Sequence, residues 1–169
     1  MDQLNRREIL TIASAATAAC LCGLADSSVA LAQQSPSTAP SGPTTVDVGP
    51  KSDYSADGIT DKWMDKTNGL AIVRAGGKLY ASSAVCTHKG CIVKKAPAAA
   101  DGTPAASPYL CPCHKATYDI DGKVTKGPAK MSLNRFAISV DASGHVIVDK
   151  TTKFDDTQWD NPASFIAMA

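Results

Sequence analysis

Two short blocks of potential metal ligands constrain this chain more than anything else in it. The first reads Cys86-Thr87-His88-Lys89-Gly90-Cys91, and the second reads Cys111-Pro112-Cys113-His114-Lys115-Ala116-Thr117-Tyr118. Reduced to ligating types they are C-x-H-x2-C and C-x-C-H. Each block supplies one Cys–His pair, as C-x-H and as C-x2-H, and each carries one further cysteine. Two thiolates and two imidazoles are also a common structural zinc set, but zinc sites favour C-x2-C and H-x3-H spacing. Four cysteines forming two disulfides would leave the paired histidines unexplained. The third histidine, His145, sits in an apolar-alternating stretch with no cysteine nearby and reads as an ordinary residue.

The rest of the composition sets the background. At 169 residues the chain is one domain's worth. Hydrophobic residues make up 44% and charged residues 20%, a globular balance. Aromatics reach only 5%, so the core must come from Val, Ile, Leu and Ala. The net charge of +1 and the lack of a basic tract give no sign of nucleic-acid binding.

Residues 1–32 read as a twin-arginine export signal. Asn5-Arg6-Arg7-Glu8-Ile9-Leu10 opens it, a mildly apolar run continues to about Ala25, and Ala30-Leu31-Ala32 offers a cleavage site before Gln33. An uncleaved anchor is the alternative, since ~20 residues can span a bilayer. The run is rich in Ala, Thr and Ser, however, and is broken by Asp26. A lipoprotein reading of Cys20 lacks a Leu or Val three positions earlier. Cleavage would leave Cys86, Cys91, Cys111 and Cys113, with 15 basic against 13 acidic side chains. The expected location is periplasmic, or membrane-tethered facing the periplasm, where disulfides persist.

Residues 33–45, QQSPSTAPSGPTT, read as a flexible linker. A domain is expected over 46–160 and a tail over 161–169. Within the domain the signals are strands. Residues 70–81 read as a hairpin around Gly76-Gly77, and 118–124 as a hairpin turning at Asp121-Gly122. Residues 135–140 alternate, with Phe136, Ile138 and Val140 on one face. After a turn at 141–144, residues 145–149 form the expected last strand, with Val146 and Val148 on one face. Residues 61–67 offer a possible short helix, and 96–108 an exposed loop of Ala, Pro and Gly. Many short strands with Gly and Pro turns argue for an all-β antiparallel sandwich or small barrel.

Together the two blocks resemble the Rieske [2Fe–2S] family, respiratory type, over about residues 68–150. That resemblance implies an antiparallel β-sandwich with a small cluster-binding subdomain. It also implies one [2Fe–2S] cluster on Cys86, His88, Cys111 and His114, two thiolates on one iron and two imidazoles on the other. Replacing two charged thiolates by neutral imidazoles raises the potential and makes His88 and His114 candidates for proton coupling. Cys91 and Cys113 match the two extra cysteines that bridge the cluster loops in respiratory members. Tyr118 falls where that family has a tyrosine bonded to a ligand sulfur, and Gly127-Pro128-Ala129 matches its loop over the cluster.

Two departures stand out. The family commonly has Gly-Ser where this chain has Lys115-Ala116, and that serine donates to a bridging sulfide. Ala116 therefore implies a lower potential. Lys89 stands where respiratory members often carry Leu, so with Lys115 the tip would be cationic. The implied function is one-electron transfer in a quinol-oxidising complex, with a membrane cytochrome b-type subunit and a c-type cytochrome as partners. The alternative is the small subunit of a periplasmic oxidase, resembling that of arsenite oxidase, serving a larger catalytic subunit without quinol. No activity is expected of the chain alone beyond redox cycling.

Overall fold

Leu70-Ala71-Ile72-Val73 is apolar at every position, and the fold explains why. These residues lie in strand β3 (Leu70–Ala75), paired with β4 (Lys78–Ser83) in a hairpin buried on both faces. Gly76 and Gly77 both take positive φ, 56° and 72°, the two-residue turn that matches the twist of paired strands. Side chains alternate across a strand. Leu70, Ile72, Leu79 and Ala81 therefore enter one core, while Ala71, Val73 and Tyr80 enter another. Burying each of the larger aliphatic side chains contributes about 1.5–3 kcal/mol.

The computed structural model describes residues 43–98 and 105–168. Residues 1–32, read above as an export signal, nearly all of the expected linker and the middle of the 96–108 stretch lie outside them. The other strands are β1 (Thr45–Pro50), β2 (Gly58–Thr60), β5 (Lys94–Lys95), β6 (Tyr109–Leu110), β7 (Thr117–Tyr118), β8 (Val124–Lys126), β9 (Arg135–Val140), β10 (His145–Phe154) and β11 (Ile166–Ala167). They form two antiparallel sheets. The larger runs β1-β10-β9-β4-β3-β2, with β11 added to β4; the smaller runs β5-β6-β7-β8. This is the all-β antiparallel fold, with a smaller subdomain, that the family resemblance implies. The first core fills the larger sheet with Val46, Val48, Phe136, Ile138, Val146 and Val148. The second joins the opposite face of β3–β4 to the small sheet, through Val93, Tyr109, Ala116, Tyr118 and Leu133. Among the described residues no helix is long and apolar enough to cross a membrane.

Three local expectations differ from the structure. Residues 61–67 form turns instead of a helix. Asp65 Oδ1 accepts the backbone N–H groups of Thr67 and Asn68, both at 2.7 Å, and its other oxygen accepts from Asn68 Nδ2. Such side-chain bonds offer the backbone an alternative to the helix ladder. Strand β10 does not stop at Asp149 but runs to Phe154 across a register shift. At that shift Asp149 Oδ1 accepts from Thr151 N and Oγ1. Residues 161–168, within the expected C-terminal tail, carry regular structure. Asn161 caps a 3-10 turn at Pro162–Ser164, and Ile166 then pairs with Leu79. Nearby, the Arg135 guanidinium lies between the Tyr80 and Trp159 rings, 3.7 and 4.6 Å from their centres, and pairs with Asp121 at 3.0 Å. That stack ties the C-terminal segment to the larger sheet. His145 pairs with Asp47 on the same sheet, as part of the β1–β10 edge.

Candidate metal centre

Both ligand blocks are tips of antiparallel pairs, and both use one backbone frame. In the first, Val85 bridges Ile92, Cys86 N–H donates to Cys91 O at 2.8 Å, and Gly90 N–H donates to Cys86 O at 2.9 Å. In the second, Leu110 pairs with Thr117, Cys111 N–H donates to Ala116 O at 2.8 Å, and Lys115 N–H donates to Cys111 O at 3.0 Å. Each turn is closed by a residue in the left-handed region, Gly90 at φ 73° and Lys115 at φ 61°. Lys115 is the one non-glycine residue with positive φ among those described.

The frame brings the sequence-predicted donors together. Cys86 and Cys111 are free thiols, 2% and 1% exposed. The His88 and His114 rings meet edge to face, with centres 4.7 Å apart. His114 is exposed and His88 half-buried. His88 Nδ1 is buried with no hydrogen-bond partner. Cys91 and Cys113 are joined in a disulfide, Cα atoms 6.6 Å apart, which ties the two loops to each other. The sulfurs of Cys91, Cys111 and Cys113 lie within 4.8 Å of one another, a grouping that could suggest a three-thiolate site. The disulfide rules that out, because two of the three sulfurs have no thiolate to offer.

Local electrostatics suit sulfur and nitrogen ligands. Burial pushes the Cys111 thiol up; the N–H groups of His114 and Cys113, aimed at its sulfur, oppose that, and the neighbouring Cys86 reinforces it. Burial, then the charges of His114 and Lys89, lower His88, which keeps its imidazole neutral and able to coordinate. Tyr118 is fully buried, with its hydroxyl 3.3 Å from Cys86 Sγ. Burial first and Cys86 second push that hydroxyl up to about 12, so it stays protonated at neutral pH. With Cys86 a thiolate, as cluster ligation would make it, the sulfur could only accept and the hydroxyl would be the donor.

The remaining predicted residues fall around the same end. Gly127 and Pro128 are exposed and joined by a cis peptide bond, while Ala129 is buried in the core that contains Cys86 and Cys111. Ala116 is fully buried and offers only a methyl group. Lys89 and Lys115 are exposed. One participant was not singled out from the sequence, Thr87. Its hydroxyl lies 3.2 Å from the Tyr118 hydroxyl and donates to Met131 O at 2.7 Å. It thereby joins the first loop to the segment after Gly127-Pro128. Its partners lie 31 and 44 residues away, so no local pattern announces the role.

Two buried free thiols, two facing imidazoles and an orphaned His88 Nδ1 make a donor set that fits a [2Fe–2S] cluster with two Cys and two His ligands. The comparisons agree. Residues 43–137 match the model of the Rieske [2Fe–2S] domain. The chain is similar to the cytochrome b6-f complex iron-sulfur subunit of Chlorobaculum tepidum, 35% identical over 101 residues, covering 60% of this chain and 51% of that protein. The same subunit of Prochlorococcus marinus is 37% identical over 83 residues, covering 49% of this chain and 42% of that protein. The chain thus spans about half the length of the curated relatives it matches. Among solved structures, the cyanobacterial plasma membrane Rieske protein PetC3 from Synechocystis PCC 6803 is 32% identical, with a TM-score of 0.42, covering 61% of this chain and 97% of that one. The chain belongs to the Rieske [2Fe–2S] family and carries one such cluster.

Proposed function

We propose that Cys86 and Cys111 hold one iron and His88 and His114 the other, and that the chain is the iron–sulfur subunit of a quinol-oxidising complex. When bound, the cluster supplies a one-electron couple whose potential is raised by imidazole ligation. The observation that carries the reading is the polarity of the site. Both thiols are buried to 2% exposure or less, while the imidazole pair opens to the surface through His114. The nitrogen side is therefore where a partner meets the chain, and the sulfur side is insulated. A surface imidazole edge can accept a hydrogen bond from a quinol hydroxyl and hold its proton. A cytochrome b-type membrane subunit and a c-type cytochrome are the proposed partners, as the kinship with b6-f subunits suggests. Export by the twin-arginine route, to the periplasmic side, is proposed from residues 1–32 and agrees with the Cys91–Cys113 disulfide.

A second reading rests on Lys89, Lys115 and Ala116. A cationic tip and a missing hydroxyl suit a relay to the larger subunit of a periplasmic oxidase, without quinol. The test is a redox titration of the cluster-loaded protein followed by EPR, then reduction by a soluble quinol analogue. The first proposal expects the spectrum of a cluster with two His ligands, a midpoint that falls as pH rises above neutrality, and quinol-dependent reduction. The same spectrum without quinol reduction selects the relay. Stoichiometric zinc in place of iron overturns both.

A further inference from the structure

Charge is split unevenly between the two parts of the domain. Residues 84–98 and 105–134, which hold the ligand loops and the small sheet, carry seven lysines against Asp119 and Asp121. Residues 43–83 and 135–168, the larger sheet, carry eight basic and ten acidic side chains. All seven lysines are exposed. Among the described residues none of them is in an ion pair; the basic partners there are Arg74, Lys78, Arg135 and His145.

Two of these lysines adjoin the imidazoles in sequence, and a third adjoins Met131. Lys89 follows His88, Lys115 follows His114, and Lys130 precedes Met131. Met131 is 65% exposed, the most exposed large apolar side chain described. Its carbonyl is tied to Thr87, which keeps it beside the first ligand loop. Lys115 holds its charge there from a left-handed backbone that glycine would adopt at lower cost. An apolar contact point tied to the first ligand loop, with exposed cations outside any ion pair on that loop, on the second loop and beside Met131 in sequence, has the composition of a docking face for a negatively charged surface.

We propose that this tip docks an acidic redox protein, with Met131 as the apolar contact, Lys89, Lys115 and Lys130 as its cationic rim, and the other four lysines steering the encounter. The proposal rests on the electron-transfer reading above and names the chemistry of the partner. A protein is favoured over an anionic lipid surface because the imidazoles share this face, and a lipid bilayer seated on it would separate them from any electron partner. Steering of this kind acts over a Debye length of about 8–10 Å and speeds encounter by roughly 10- to 1,000-fold.

The test uses the full-length, cluster-loaded protein in its reduced form, mixed by stopped flow with an acidic plant plastocyanin or with basic mitochondrial cytochrome c. Oxidation by plastocyanin is expected to slow steeply with added salt. It should also fall about 10-fold in Lys89→Glu/Lys115→Glu/Lys130→Glu at low salt. Cytochrome c should respond in the opposite sense. Met131→Gln should slow the plastocyanin reaction at high salt, where steering is screened. The same charge change placed on the larger sheet, Lys62→Glu/Lys66→Glu/Lys153→Glu, should leave the rate within about twofold. An equal loss there would assign the effect to net charge and overturn the docking face. Salt-independent rates with an intact cluster spectrum would overturn it too. Absence of the cluster spectrum would instead strike the functional reading beneath it. Finally, cosedimentation with phosphatidylglycerol vesicles that the tip variant abolishes, with its plastocyanin rate unchanged, would reassign the tip to a lipid surface.

Discussion

In the first ligand loop the residue that closes the turn is Gly90, at φ 73°; in the second, the same place is held by Lys115, at φ 61°. Around these positions the two loops share their hydrogen bonds. The leading Cys donates its N–H to the carbonyl five residues on and accepts from the N–H four residues on. Their side chains are ordered differently. His follows the leading Cys by two positions in one loop and by three in the other, and the disulfide cysteine closes one loop but sits inside the other. The comparison teaches that the pocket is made by the backbone, while ligand order and bracing are added to it. Bracing is also unequal. The first loop is held from outside by Tyr118 and by the Thr87–Met131 bond. In the second, the N–H groups of Cys113 and His114 turn inward on the Cys111 sulfur.

Ligand and brace are separable by mutation. Cys86→Ser or Cys111→Ser should reduce iron content and visible absorption to background. Cys91→Ala/Cys113→Ala should keep the cluster and lose about 3 kcal/mol in denaturant unfolding, the usual worth of a disulfide closing a loop of this size. Loss of iron in the double alanine variant would make the disulfide part of the site and not a brace.

A smaller effect tests whether the two loops tune the cluster from both sides. Tyr118→Phe removes a donor to Cys86 and should lower the midpoint. Ala116→Ser adds a hydroxyl in the second loop and should raise it. A hydrogen bond to a charged group of about 1.5 kcal/mol corresponds to roughly 60 mV for one electron, so shifts of that order and opposite sign are expected in voltammetry. An unmoved midpoint in Ala116→Ser would mean that position 116 does not face the cluster sulfurs.

The smallest effect concerns the turns themselves. Lys115→Gly relieves a left-handed lysine, worth about 1–2 kcal/mol, but adds unfolded-chain entropy of about 0.5–1 kcal/mol. The net gain should be at most about 1.5 kcal/mol in thermal unfolding, by the same two terms. Gly90→Lys should cost a similar net amount, since no atom lies within 4 Å of the Cβ it would add and the same two terms act in reverse. A destabilised Lys115→Gly would mean that the lysine side chain contributes something the glycine loop lacks.

The hairpins were legible because their signals are local. Gly76-Gly77 and Asp121-Gly122 sit between apolar runs and mark their own turns. Tyr118 was legible only through family resemblance; nothing around it predicts that its hydroxyl meets a sulfur 32 residues earlier. Residues 61–67 misled because their composition permits a helix, and Asp65 captured the backbone with its side chain instead. Residues 161–168 misled for the opposite reason. They have no periodicity of their own and become a strand only because β9 pairs with Ala81 and Ser82 alone, which leaves Lys78 and Leu79 of β4 open to Ile166 and Ala167.

Residue types and their spacing alone were enough for four candidate donors in two blocks, two further cysteines, an all-β chain and the place of its turns. Each of these is a matter of residue type and short spacing, which survive without any fold. Only the tertiary structure decided that β3–β4 divides two cores, and that Arg135 stacks between Tyr80 and Trp159. It also decided that Thr87 links Tyr118 to Met131, and that a lysine closes the second turn as a glycine closes the first. Those features join residues far apart in the chain or depend on backbone angles set by packing, and no local pattern of side chains encodes either.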